Sequence, residues 1–139
     1  MTSNAVFVLD TNSVISALLL PTSIVRQAFD HAVTIGTILA SQDTLDEVDS
    51  VLRRPKFDRY LHVDERLRFL SSYAQSVTVI EINITITDCR DAKDNKFLEL
   101  AVSGAATCLI SGDRDLLDLS PYRNIPILSA RAFLDRYTP

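Results

Sequence analysis

The sequence predicts an α/β fold in which a mostly parallel sheet is covered by helices on both faces. Short apolar runs alternate with segments of helical periodicity, and strands that alternate with helices form parallel sheets. The run Val6–Leu9 is continuously apolar, which is typical of a strand buried on both faces. A second run of this kind, at residues 107–110, predicts another central strand.

The first half of the chain contains two predicted strands and several helical segments. Proline ends two of the helices, because it cannot continue a helix and disfavours helical backbone in the residue before it. In chain order we predict a strand at 5–9, a helix at 12–20, a helix capped by Thr22-Ser23 and a strand at Thr37–Ala40. These are followed by a helix opened by Ser41 that ends before Pro55, a short helix at 56–61, and a helix capped by Asp64 with Leu67, Phe69, Leu70 and Tyr73 facing inward.

The second half contains three further predicted strands. Residues 77–80 form the third, and 107–111 the fourth. The fifth, at 125–128, lies at an edge because it contains a proline. Residues 81–88 alternate isoleucine with polar residues, so they form either an edge strand or an extended connection. We predict helices at 94–103 and after Ser129.

Length and composition indicate one ordinary globular domain spanning 1–139. Of the 139 residues 47% are hydrophobic, and the apolar runs are far short of the ~20 residues that a membrane helix needs. The amino-terminal residues lack a basic region, so we expect a cytoplasmic protein with no membrane association and two reduced cysteines. The net charge of −4 offers no general affinity for nucleic acid, which would need local basic patches and bound cations.

Acidic residues follow two of the predicted strands. Asp10 comes directly after the first strand, and Asp113 and Asp115 come after the fourth. Residues just past parallel strands lie at the carboxyl edge of the sheet, where ligands bind in open α/β folds. Helix capping explains each aspartate as well. The repetition at two strands favours a metal site.

Two further acids belong to the same edge in this topology. Glu47 lies one turn into the helix after the second strand, where a solvated helix acid is the alternative. Asp94 shares a helical face with Phe97 and Leu98, and a first-turn acid favoured by the helix dipole is the alternative there. Converging carboxylates repel one another and lose hydration, which cations offset. Oxygen ligands suit Mg²⁺ or Mn²⁺.

The motifs of other reaction classes are missing from the sequence. His31 and His62 are isolated and lack the spacing of metal ligands. The chain contains no nucleophile-elbow motif, no GxGxxG sequence and no P-loop. The acidic residues therefore carry the functional prediction.

These segments together resemble a PIN domain. Their order and spacing agree with that family over essentially the whole chain, and the resemblance rests on Val8-Leu9-Asp10-Thr11-Asn12, Glu47, residues 91–101 and residues 111–117. Residues 91–101 followed by 111–115 are similar to a bacterial and archaeal subgroup assigned as toxin components of toxin–antitoxin systems, relatives of the VapC-type toxins.

The resemblance implies a three-layer α/β/α fold and an Mg²⁺- or Mn²⁺-dependent ribonuclease. It also implies an RNA substrate, an antitoxin whose tail blocks the acidic pocket, and a homodimer. By residue, it implies a catalytic and metal-binding quartet of Asp10, Glu47, Asp94 and Asp113, a more variable metal-binding acid at Asp115, and small polar positions at Asn12 and Ser111 that orient the acids or the substrate.

Within this site we expect Asp10 and Asp113 to be direct metal ligands, with Asp94 and Glu47 completing the site directly or through water. Arg114 is close enough in sequence to contact a phosphate, although a surface salt bridge explains it equally. The basic residues at 53–56 form either part of a backbone-binding rim or a charged helix end. Apolar residues at 14–20 and at 82, 84 and 86 provide either partner surfaces or core.

Three other functions fit parts of the pattern. A haloacid-dehalogenase-like phosphatase needs a second aspartate two residues after the first, where this chain has Asn12. A receiver domain needs a lysine after a late strand, and no lysine follows Lys96. A non-catalytic interaction module would use the acids only to bind a partner's cations, and it predicts that Asp10→Asn leaves every activity unchanged.

Overall fold

The central sheet of the computed structural model, which describes residues 5–138, is parallel throughout. Its strands lie in the order β3-β2-β1-β4-β5. Their bounds are β1 Val6–Leu9, β2 Thr37–Ala40, β3 Thr78–Val79, β4 Cys108–Ile110 and β5 Ile127–Leu128. The predicted α/β fold with a mostly parallel sheet is therefore confirmed.

Helices cover both faces of the sheet. Their bounds are α1 Thr11–Leu19, α2 Ile24–Ile35, α3 Gln42–Leu52, α4 Val63–Ser76, α5 Asn95–Ser103, α6 Arg114–Leu117 and α7 Ala130–Tyr137. Short 3₁₀ turns lie at Pro55–Phe57 and Ala92–Asp94. None of the helices within residues 5–138 has the length and apolar character that a bilayer crossing requires.

The alternating side chains of β1 divide the core into two layers. Phe7 and Leu9 pack into one cluster, with apolar residues of α1, α2, α3, α4 and α7. Val8 points the other way, into a cluster with Phe97 of α5 and Leu116 of α6. Because both sides of β1 are buried, its run of apolar residues is continuous. The two clusters give the three-layer α/β/α architecture.

Serine side chains cap three of the helices, as the sequence predicts. The hydroxyl oxygens of Ser23, Ser41 and Ser129 accept hydrogen bonds from backbone N–H groups in the first turns of α2, α3 and α7. Each cap satisfies a donor that a helix start would otherwise leave unpaired. The carboxylate of Asp10 caps α1 in the same way, so the chain turns sharply from β1 into a helix.

The region between α3 and α5 differs from the prediction. The expected helix at 56–61 is a 3₁₀ turn that starts at Pro55. His62, and not Asp64, is the N-cap of α4. Residues 81–88 form an extended connection and no strand, which decides between the two predicted alternatives.

The inward face of α4 is also rotated from its predicted position. Phe69 is 37% exposed, whereas the Arg66 side chain is buried. A guanidinium tolerates this position because it donates to the backbone oxygen of Leu61 and to the carboxylate of Asp58. Hydrophobicity alone could not indicate that burial, since it depends on acceptors from a preceding turn.

Candidate active site

The site lies where the chain changes direction within the sheet. From β1 the chain proceeds to β2 and β3 on one side, and then crosses to β4 on the other. At the carboxyl ends of these neighbouring strands, the backbone N–H of Asp10 donates to the carbonyl oxygen of Ile110 at 3.2 Å. The crevice at such a switch point is the usual ligand site of an open parallel sheet.

Asp10 is held in one orientation by hydrogen bonds to both of its carboxylate oxygens. Its Oδ1 accepts from the backbone N–H of Ser13 at 2.9 Å, and its Oδ2 accepts from the hydroxyl of Ser111. Burial raises the pKa of Asp10, although these hydrogen bonds act in the opposite direction. The capping role and the predicted site role therefore fall on the same residue.

Asp94 is the acid whose charge is least compensated. It is 8% exposed, and its Oδ2 is buried without a hydrogen-bond partner within the described structure. The pKa of Asp94 is raised to about 7. Burial is the largest cause, and the nearby carboxyl of Asp113 is the next. An unpaired buried carboxylate oxygen is costly, so this atom favours the arrival of a proton or a cation.

Asp113 is placed by the turn between β4 and α6. Its Oδ1 accepts from the backbone N–H of Asp115 at 2.9 Å, which makes it the N-cap of α6. Its own backbone N–H donates to the hydroxyl oxygen of Ser111 at 2.9 Å. Ser111, which is 1% exposed, therefore connects Asp10 with Asp113 through a single hydroxyl group.

Glu47 is the acid whose charge is already neutralised. Its Oε1 accepts from the hydroxyl of Thr11, and its Oε2 lies 2.6 Å from the ammonium nitrogen of Lys96. Burial alone would raise the pKa of Glu47, but the hydrogen bonds from Lys96 and Thr11 outweigh it, and the pKa is lowered. Its partners therefore favour the ionised form of Glu47, whereas burial raises the pKa of Asp94.

The four acids of the predicted quartet line one cavity of about 170 Å³. Five acidic side chains border it, against two basic ones, Arg54 and Lys93. Its full lining is Asp10, Thr11, Asn12, Glu47, Val51, Arg54, Asp91, Lys93, Asp94, Phe97 and Asp113. The excess of carboxylates makes the cavity suited to cations.

A wider cleft of about 300 Å³ adjoins this cavity. Asp10, Asn12 and Asp113 border both spaces. Small residues, including Ser16, Gly112 and Ala130, line much of the rest. Asn12 is exposed where the two spaces meet, so a polymer lying in the cleft would pass beside the acids.

Three of the residues assigned to the site from sequence do not line the acidic cavity: Ser111, which is buried behind Asp10 and Asp113, Asp115 and Arg114. Asp115 directs its carboxylate to Arg90, with Oδ1 3.1 Å from the arginine Nε. Arg114 is exposed and is absent from the lining of either space. Conversely, sequence reasoning missed Thr11 and Lys96, whose contacts with Glu47 span 36 and 49 residues and leave no local signal.

The residues present fit a divalent cation. Within residues 5–138, no three histidine, cysteine or acidic side chains already form a ligand cage. The unpaired Oδ2 of Asp94 and the mutual repulsion of Asp10, Asp94 and Asp113 are nevertheless what a cation would relieve. The donors are all oxygens, which suit Mg²⁺ or Mn²⁺.

The fold and this site define a class of α/β/α domains with an acidic crevice at the edge of a parallel sheet. The PIN domain family model matches residues 6–115. The uncharacterized protein MJ1680 of Methanocaldococcus jannaschii is 33% identical over 114 residues, covering 81% of this chain and 73% of that protein. The chain therefore belongs to the PIN domain family.

Solved structures support the fold. A chain of VapBC2 from Rickettsia felis, bound to a promoter DNA fragment, has a TM-score of 0.63 and 12% identity, covering 89% of this chain and 98% of that chain. PAE2754 from Pyrobaculum aerophilum has a TM-score of 0.64 and 16% identity, covering 95% of this chain and 88% of that chain. A chain of DNA-bound VapBC from Salmonella typhimurium has a TM-score of 0.58 and 14% identity, covering 94% of this chain and 99% of that chain. The PIN-like three-layer fold is thus confirmed.

Proposed function

We propose that this protein is a ribonuclease that uses Mg²⁺ or Mn²⁺ to hydrolyse RNA phosphodiester bonds. The observation that carries the proposal is the buried, unpaired Oδ2 of Asp94 beside Asp10 and Asp113. Holding carboxylates that repel one another close together costs stability, and such costs are typical of functional sites, here one that binds a cation. Membership of the PIN domain family supports the same reading.

We assign the metal to Asp10, Asp94 and Asp113. When bound, a divalent ion makes a water molecule more acidic and offsets the negative charge that develops on the phosphate. Asp10 is pre-oriented by Ser13 and Ser111, so its position does not have to be found anew in each cycle. The predicted ligand roles of Asp115 and Glu47 stay untested, and their contacts with Arg90 and Lys96 favour roles outside direct coordination.

We infer that the RNA backbone is bound by a small number of basic groups at the cavity. Of the basic residues at 53–56, Arg54 borders the cavity, whereas Arg53 pairs with Asp49 at 2.9 Å. Lys93, from the 3₁₀ turn Ala92–Asp94, also borders the cavity. Asn12 lies where cavity and cleft meet and is placed to donate a hydrogen bond to the substrate. These contacts are to phosphate and sugar, and they carry no sequence preference by themselves.

We further propose that the protein is the toxin of a toxin–antitoxin pair, acting in the cytoplasm as one domain over residues 1–139. The similarity of the fold to chains of the two VapBC structures supports this proposal. An apolar cleft of about 140 Å³ between α1 and the Pro55–Phe57 turn is a candidate contact for an antitoxin or a second subunit. Its rim contains Leu20 and Tyr60, which are 45% and 56% exposed.

Purified protein tests the nuclease proposal. Mixed structured and single-stranded RNA would be incubated with Mg²⁺, with Mn²⁺ or with EDTA, alongside Asp10→Asn and Asp115→Asn. We expect cutting by the wild type that EDTA abolishes, that Asp10→Asn loses and that Asp115→Asn retains. Cutting that persists in Asp10→Asn would indicate a contaminating enzyme. Absence of both cutting and metal binding by the wild type would favour the interaction module.

A further inference from the structure

Lys96 is a cation built into an acidic site. It occupies the first turn of α5, two residues after Asp94, and its side chain is only 21% exposed. Its ammonium nitrogen lies 2.6 Å from Oε2 of Glu47 and 5.6 Å from the centre of the Phe97 ring. Lys96 reaches the acidic cavity through its contact with Glu47, whereas Lys93 borders the cavity itself but is 73% exposed, with its ammonium 3.8 Å from Asp91. Lys96 is thus the lysine that engages the quartet.

The ion pair divides the four acids of the site into two groups. Glu47 has a hydrogen-bond donor on each carboxylate oxygen, and one of these donors carries a full positive charge. Asp10, Asp94 and Asp113 have no ion pair with any residue within 5–138, and Asp94 keeps one oxygen without any partner. Uncompensated negative charge is therefore concentrated on the three aspartates.

We propose that Lys96 takes the place that a second divalent ion would occupy, so that the site binds a single divalent ion and Glu47 is a positioning residue. This inference rests on the proposed function. A dication approaching Glu47 would meet the ammonium at short range, and like charges repel strongly where water is partly excluded. A dication at the three aspartates meets no such repulsion from a paired cation. Glu47, which accepts a hydrogen bond from Thr11, then serves to fix the ammonium of Lys96 at the border of the acidic cavity.

The stoichiometry of Mn²⁺ binding tests this inference directly. Mn²⁺ alone would be titrated into metal-free full-length protein and followed by calorimetry and by the electron paramagnetic resonance signal of free Mn²⁺. We expect one ion per chain for the wild type and two for Lys96→Gln, because the variant leaves Glu47 as an unpaired carboxylate. Lys96→Arg keeps the positive charge and should bind one.

Matched variants separate the effect of the ion pair from that of net charge. Lys93→Gln removes one positive charge from the cavity lining without breaking the Lys96–Glu47 pair, and it should still bind one ion. Lys96→Gln combined with Glu47→Gln should return to one. A wild type that binds two ions, or a folded Lys96→Gln that binds one, would overturn the inference while leaving the nuclease proposal intact. A wild type that binds no Mn²⁺ would overturn both.

Discussion

The hydroxyl of Ser111 donates a hydrogen bond to Oδ2 of Asp10, across the junction between β1 and β4. The same hydroxyl oxygen accepts from the backbone N–H of Asp113 at 2.9 Å. One buried side chain therefore sets the position of two acids that come from strands 101 residues apart in sequence.

Ser111→Ala should weaken both catalysis and the fold. Loss of a residue that orients a metal ligand typically costs 10–100-fold in activity or metal affinity, so we expect a reduction of about that size in kcat/KM for RNA cleavage. The lost hydrogen bonds should cost about 1–3 kcal/mol in the free energy of unfolding, measured with urea. Ser103→Ala, at an exposed position of α5, is the control and should change neither quantity.

Asp94→Asn should remove a pH dependence of stability in the metal-free protein. The pKa of Asp94 is raised in the folded state to about 7, from 3.8. Between these values the folded state holds the proton more tightly than the unfolded state, so wild-type stability should fall as the pH rises from about 4 to 7. Urea unfolding in EDTA across this range should show a shallower fall for Asp94→Asn. An unchanged slope would contradict the assignment of the raised pKa.

Glu47→Gln should impair catalysis without removing the metal. The substitution leaves the ammonium of Lys96 without its counter-charge, so that its position is no longer fixed. We expect cleavage to fall by about 10–100-fold, the range typical for residues that position a site, while one Mn²⁺ still binds. Complete loss of Mn²⁺ binding would instead identify Glu47 as a direct ligand, as the acidic quartet predicted from sequence allows.

Arg54→Gln should reduce the salt dependence of RNA binding. Each phosphate contact with single-stranded nucleic acid contributes a slope of roughly 0.7 to the logarithmic dependence of affinity on salt. Fluorescence anisotropy with labelled RNA, in an Asp10→Asn background, should show a slope smaller by about that amount. Arg53→Gln is the matched control, because Arg53 is engaged by Asp49 in an exposed ion pair. Equal effects of both variants would refute a specific role for Arg54.

Gly36→Ala should destabilise the fold. A Cβ atom at this position would lie 2.4 Å from the carbonyl oxygen of Ala5 and 2.8 Å from the Phe7 ring, so the backbone leading into β1 would have to move. Overpacking of this kind typically costs about 1–3 kcal/mol. Gly112→Ala is the control, since its Cβ would meet no atom within 4 Å. Thermal unfolding should separate the two variants clearly.

The order of the strands and helices, and the edge of the sheet at which the site lies, could be predicted from the sequence. Continuous apolar runs identify β1 and β4 because both faces of these strands are buried, and serine caps mark the starts of α2, α3 and α7. The topology then brings Asp10, Glu47, Asp94 and Asp113 to one cavity, as predicted. Their roles as catalytic residues stay a prediction.

Features that depend on distant partners could not be predicted. No local signal links Lys96 to Glu47, because the two residues lie on different helices and 49 residues apart. Arg66 occupies a buried position of α4 only because Asp58 and the carbonyl of Leu61 provide acceptors. Asp115 belongs to the same segment as Asp113, but its carboxylate pairs with Arg90. In each case, a contact with another side chain determines where the residue lies, and local periodicity in the sequence does not indicate that contact.

Binding of a divalent cation by Asp10, Asp94 and Asp113 is tested most directly by the anomalous scattering of Mn²⁺. Crystals of the wild type and of Asp94→Asn would be grown with and without the ion. We expect a peak at about 2.0–2.3 Å from carboxylate oxygens of the three aspartates, absent or much weaker in the variant. Crystals saturated with Mn²⁺ that show no peak there, or that show it at Asp115 instead, would contradict binding at the three aspartates.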